Sequence, residues 1–101
     1  MSLQFLDFDY SEDAQGGGTF DAMASVRQAQ LAAVQAEIAE VLDWAEAVFA
    51  GQRAPLDEGG EWDLDLQEQT DASSPPWHVL SLCISGSAPF CAAFKQRFGL
   101  D

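Results

Sequence analysis

Apolar and polar residues alternate in three stretches of the chain, residues 3–10, 19–26 and 61–68. A period of two is typical of a strand with one face buried and the other in water. The pattern therefore predicts three half-buried strands. Their inward-facing side chains are Leu6, Phe8 and Tyr10 in the first, Phe20, Ala22, Ala24 and Val26 in the second, and Trp62, Leu64 and Leu66 in the third.

The second of these stretches allows two interpretations. The triple glycine at residues 16–18 favours a turn between residues 3–10 and 19–26, and so a hairpin. Ala22 and Ala24, however, are weak strand formers and also suit the start of the helix that follows. The sequence leaves open whether residues 19–26 form a strand or begin that helix.

Two further stretches predict an interior strand and a long helix. Residues 77–84 are apolar on both faces, as in a strand in the middle of a sheet. Residues 27–50 place apolar side chains three and four positions apart, the spacing of an amphipathic helix. Ser25 and Gln28 are spaced as a capping box at its start, and Gly51 is suited to end it.

A shorter helix is predicted near the end of the sequence. Ser87 is placed to cap it, Pro89 falls in its first turn, and Phe90, Phe94 and Phe98 follow at four-residue spacing. The element order is then β-β-α-β-β-α. This order predicts an α+β two-layer sandwich, with an antiparallel four-stranded sheet and one long and one short helix on one face. At 101 residues, residues 1–101 are expected to form one small domain.

Charge narrows the classes of partner. The chain has 17 acidic and 4 basic residues, a formal net charge of −13, which argues against binding to nucleic acid or to an anionic membrane. A basic protein is the expected partner, and self-association is left open. The first residues lack the basic region of a secretory signal, so a cytoplasmic location is expected, with Cys83 and Cys91 as free thiols.

The acids supply the main candidate site. If the apolar sets face the helices, strand geometry places five aspartates on the opposite, uncovered face. Three interpretations remain open for this face: a solvated surface, a platform for a basic partner, or a module that binds a small molecule or a divalent cation. The five aspartates are Asp7, Asp9, Asp21, Asp63 and Asp65.

Other candidate chemistry is weaker. Ser85, Gly86 and Ser87 join a strand to a helix N-terminus, where an anion can bind, although capping alone explains these residues. His78, Cys83 and Cys91 fall short of the four ligands of structural zinc, so no metal site is predicted. With one histidine and one lysine in the chain, neither an enzyme nor a cofactor is predicted. An enzyme with a carboxylate-based site stays as an alternative.

Overall fold

The computed structural model describes residues 5–13, 17–54, 58–71 and 77–99. Its strands and helices follow the predicted order, β-β-α-β-β-α, and the α+β fold class is confirmed. The elements are β1 (Asp9–Glu12), β2 (Gly18–Arg27), α1 (Gln28–Val48), β3 (Trp62–Asp71), β4 (Trp77–Gly86) and α2 (Ala88–Phe98).

The four strands form one antiparallel sheet in the order β1-β2-β4-β3. β4 lies inside the sheet, as its apolar composition predicts, and β2 lies beside it. Both helices contact mainly β2 and β4. One face of the sheet is therefore covered by helices. No helix of the described ranges covers the other face, which we call the open face.

The core between sheet and helices is rich in aromatic rings. Trp62 and Phe90 stack with ring centroids 5.7 Å apart and planes 6° apart, and Phe20 stacks on Phe94 at 4.2 Å. All four side chains are fully buried. Burial of such large apolar surfaces is the main stabilising contribution in a chain of this size.

Residues 19–26, which the sequence left open between a strand and the start of a helix, belong to the strand β2. It pairs with β4 along its whole length, and its side chains alternate between buried and exposed. The predicted capping box is wrong: Ser25 lies within β2, opposite Val79, and α1 begins after Arg27 without a side-chain cap. Strand pairing over these residues outweighs the weak strand propensity of Ala22 and Ala24.

β1 is shorter and later than the predicted strand 3–10, of which residues 3 and 4 lie outside the described ranges. Leu6 and Phe8 are buried, as the alternation predicts, but they precede β1. The carboxylate of Glu37 on α1 accepts hydrogen bonds from the backbone N–H groups of Phe5 and Leu6, at 3.0–3.1 Å. These hydrogen bonds hold residues 5 and 6 against α1, and pairing with β2 begins only at Asp9.

β3 is longer than predicted and less covered. Trp62 is fully buried, but Leu64 is only half-buried and Leu66 is 40% exposed. Both leucines face the helix side, as predicted, because they lie opposite the buried Ile84 and Leu82, but they keep an unpredicted exposure. Its cause is the strand order, which places β3 at the edge of the sheet while the helices lie over β2 and β4.

The predicted aromatic stripe of α2 is confirmed, since Phe90, Phe94 and Phe98 are all buried. Gly99 ends the helix in the left-handed conformation, with φ of 72°. Ser87 stands at the N-cap position, but its hydroxyl makes no cap hydrogen bond, which corrects the predicted role of that side chain. Neither helix is long and apolar enough to span a membrane within the described ranges.

Candidate functional site

The strand register brings acids from three strands into one row on the open face. Asp9 lies opposite Asp21, Asp21 opposite Cys83, and Cys83 opposite Asp65. Side chains at directly opposite positions lie on the same face of a sheet and close together. We call these four residues the acidic row.

The acidic row lies in an open groove of about 510 Å³, which we call the acidic groove. Asp7 also lines this groove, together with Met23, Gln67 and Ser81. The groove thus brings together four of the five predicted aspartates, all of them exposed: Asp7, Asp9, Asp21 and Asp65.

Asp63 stands apart from the acidic groove. It is half-buried, and its Oδ1 lies 3.8 Å from Nε of Arg53. The same oxygen accepts a hydrogen bond from the backbone N–H of Leu64, at 2.9 Å. The position of Asp63 two residues from Asp65 puts it on the open face, as predicted, but its charge is engaged locally.

Cys83 is a member of the site that the sequence reasoning missed. Burial raises the pKa of its thiol from 9.0 to about 11, and a hydrogen bond to Asp21 and the charges of Asp21 and Asp65 act in the same direction. The thiol is therefore protonated at neutral pH. If residues 77–86 pair in antiparallel order with residues 62–71, Cys83 falls opposite Asp65. The sequence alone does not determine this pairing register.

The open face changes character away from the acidic row. Met23, 66% exposed, lies in the next row, opposite Ser81. At the far end, the guanidinium of Arg27 lies 3.8 Å from the ring centroid of Trp77. The face therefore passes along the strands from acidic through apolar to an end of mixed charge, where Asp71 lies opposite Trp77.

The four basic side chains of the chain all lie outside the acidic groove. Arg53 is near Asp63, Arg27 covers Trp77, and Nζ of Lys95 lies 3.8 Å from the ring centroid of Tyr10. Arg97 lies 3.9 Å from Glu40. No basic side chain of the described ranges lines the groove, so its carboxylates have no adjacent positive charge from these residues.

The three predicted anion-site residues do not converge. The hydroxyl of Ser85 lies on the open face, 3.3 Å from that of Thr19, whereas the N–H of Ser87 donates to the carbonyl of Glu61. Gly86 accepts a hydrogen bond from the Cys91 thiol. Asp13 and Glu61 line the small cleft beside Ser87. Their carboxyl groups oppose an anion there, so the geometry does not favour this site.

The metal-ligating residue types are also dispersed. His78 is buried on the covered face, where its Nδ1 lies 3.2 Å from the hydroxyl of Thr70, while Cys83 faces the open side. Within the described ranges, no three His, Cys, Asp or Glu side chains are grouped closely enough to hold a metal ion. The acidic groove is thus a spread of separate carboxylates.

The groove, its charge and its exposure are the features from which a function can be argued. Comparison of the chain with protein family models, with curated proteins and with solved structures found no match.

Proposed function

We propose that this protein is a non-catalytic binding module whose acidic groove receives the basic surface of a protein partner. One observation carries the proposal: Asp7, Asp9, Asp21 and Asp65 share one uncovered groove in a chain with a net charge of −13. No basic side chain of the described residues lines the groove, so none of them offsets its negative field.

The spacing of the carboxylates favours several separate contacts over one central ligand. Asp9, Asp21 and Asp65 belong to three different strands, and neighbouring strands lie about 4.8 Å apart. Lysine and arginine side chains on a partner can each reach a different carboxylate, and arginine can bind one with two parallel hydrogen bonds. Such complementarity speeds association and selects basic partners.

The remaining titratable groups support a binding role more than a catalytic one. The Cys83 thiol is protonated at neutral pH because its pKa is raised to about 11, so it is a poor nucleophile. The acidic groove is open to water, whereas acid–base catalysis benefits from a closed site. We also propose a cytoplasmic location, which the free thiols of Cys83 and Cys91 support.

A defined probe tests the proposal. A fluorescent lysine-rich peptide should bind the protein at low salt, and its affinity should fall as salt rises above about 0.1 M. The double variant Asp21→Asn/Asp65→Asn should weaken binding by about ten-fold or more. Fluorescence anisotropy measures both effects.

A matched control separates the groove from net charge. Asp43 and Glu46 lie on α1, and Asp43→Asn/Glu46→Gln removes the same two charges from the helix side. This variant should bind the peptide nearly as tightly as the unaltered protein. Equal weakening by both double variants, or no binding by the unaltered protein, would show the proposal to be wrong.

The alternative of a divalent-cation module has its own readout. A ligand that binds only the folded state raises the melting temperature by mass action. A clear rise with millimolar Ca²⁺ or Mg²⁺ that the Asp21→Asn/Asp65→Asn variant abolishes would favour the cation over the basic partner.

A further inference from the structure

The backbone of β3 faces alternately toward β4 and toward the outer edge of the sheet. The N–H of Ala54 donates to the carbonyl of Trp62 from the outer side, at 3.0 Å, and the N–H of Ser87 donates to the carbonyl of Glu61 at 2.9 Å. In a strand the N–H and C=O of one residue point the same way, and successive residues alternate. The even-numbered residues of β3 therefore direct their backbone groups outward.

Most of this outer edge is unpaired. Asp63 already accepts a hydrogen bond from the N–H of Leu64. Beyond it, the backbone groups of Leu66, Glu68 and Thr70 have no hydrogen-bond partner within the described ranges. All the residues from Asp65 to Asp71 are exposed. An edge of this kind is a template for a further strand.

The two faces beside this edge differ in chemistry. Asp65 and Gln67 lie on the open face, whereas Leu64 and Leu66 lie on the helix side and keep apolar surface exposed or half-exposed. A strand placed there would meet a carboxylate and an amide on the open face, and on the helix side the two leucines followed by Glu68.

We infer that the outer edge of β3 binds an extended segment of the basic partner as a fifth strand, with lysine or arginine on the open face and apolar residues beside Leu64 and Leu66. This inference rests on the proposed function for the charge of the partner. Main-chain hydrogen bonds supply affinity in such strand addition, and the alternate side chains supply specificity.

Charge selects this occupant and this edge. In a second copy of the chain, Asp65, Glu68 and Asp71 would approach the same residues of the first copy, which like charge disfavours. The opposite edge of the sheet is divided between two strands. β1 carries Asp9 and Glu12 but is only four residues long, and β2 beyond it, from residue 22 to Arg27, has a cation and no carboxylate. A basic segment is therefore attracted to β3.

Backbone-modified peptides test the inference on the unaltered protein. The parent probe alternates lysine and valine over about ten residues, which matches the length of β3. An antiparallel fifth strand directs the N–H groups of its valines to β3, and a parallel one those of its lysines. N-methylation of one set should weaken binding about ten-fold or more, while N-methylation of the other should leave it nearly unchanged.

A protein variant provides the second arm. Glu68→Pro removes an outward N–H and leaves the hydrogen bonds to β4, and proline is tolerated at sheet edges. Glu68→Ala removes the same side chain and keeps the N–H. The proline variant, shown to be folded by its thermal melt, should bind the parent peptide about ten-fold more weakly than the alanine variant.

The outcomes separate the two proposals. If the Asp21→Asn/Asp65→Asn variant weakens binding while neither N-methylated peptide nor Glu68→Pro does, the basic partner stands and strand addition is wrong. If no lysine-containing peptide binds at all, the proposed function itself fails. A dimer in sedimentation that Glu68→Pro dissociates would assign this edge to a second copy and overturn the inference.

Discussion

Gly86 at the end of β4 lies against the side chain of Phe90 on α2, so closely that a Cβ on residue 86 would overlap the Phe90 ring. We expect Gly86→Ala to lower the free energy of unfolding by about 1–3 kcal/mol, because the core there has no room for a methyl group. Chemical denaturation followed by tryptophan fluorescence measures this change.

A double-mutant cycle identifies the contact responsible. In the Phe90→Leu background the smaller side chain leaves space, so Gly86→Ala should cost less than it does alone. Equal costs in the two backgrounds would mean that the effect comes from elsewhere in the backbone.

Ile38 tests the buried face of α1. Its side chain is buried in the core, and Ile38→Ala should lower the free energy of unfolding by about 2–5 kcal/mol, since it removes buried methyl groups and leaves a cavity. Val48 is 52% exposed near the end of the same helix, so Val48→Ala should change stability by no more than about 0.5 kcal/mol. Comparable costs in urea denaturation would refute this orientation of α1.

Asp9 and Asp21 are like charges at directly opposite positions on two strands. Asp9→Asn should therefore stabilise the protein, by up to about 1 kcal/mol at low salt. The gain should shrink as salt rises above about 0.1 M, because ions screen the repulsion. Thermal melts at both salt concentrations test this, and a loss of stability at low salt would contradict it.

The Cys83 thiol should react slowly with iodoacetamide in the folded protein. Its pKa is raised from 9.0 to about 11, so the alkylation rate should reach its midpoint near pH 11. Asp21→Asn should shift this midpoint downward, because it removes a negative charge beside the thiol. Peptide mapping by mass spectrometry separates Cys83 from Cys91, and a midpoint near pH 9 in the unaltered protein would contradict the prediction.

The same pKa has a consequence for stability. An acid whose folded-state pKa is raised stabilises the folded protein below its unfolded pKa, and that contribution is lost as pH rises through the folded value. The contribution of Cys83 should therefore disappear between about pH 9 and pH 11. Cys83→Ser should reduce the fall in stability over this window, measured by denaturation at fixed pH.

Alternation predicted the sheet well where the helices cover it. Phe20, Ala22, Ala24 and Val26 are buried as the period of two indicates, and β4 is interior as its apolar faces indicate. Beyond Leu66, by contrast, β3 continues to Asp71 with no apolar alternation to reveal it. That extension is supported by pairing with β4, and a pairing register is not a property of either strand alone.

Contacts between distant residues explain the other differences. Glu37 binds the backbone of Phe5 and Leu6, 32 and 31 positions earlier in the chain, so no local pattern could show that this segment leaves the sheet. The alternation of side chains along the strands was enough to predict that the five aspartates lie on the open face. It could not predict that Asp63 turns to Arg53 or that Cys83 stands between Asp21 and Asp65, because both depend on neighbours across the sheet.

The placement of the four basic side chains away from the acidic groove leaves its countercharge to the solution. Sodium or potassium ions must gather over Asp7, Asp9, Asp21 and Asp65, because no basic side chain of the described residues lines the groove that holds these carboxylates. A basic partner that docks would displace those ions into bulk solvent and gain their entropy. Association at this groove should therefore be driven largely by entropy, with a calorimetric enthalpy near zero and an affinity set by the ionic strength of its surroundings.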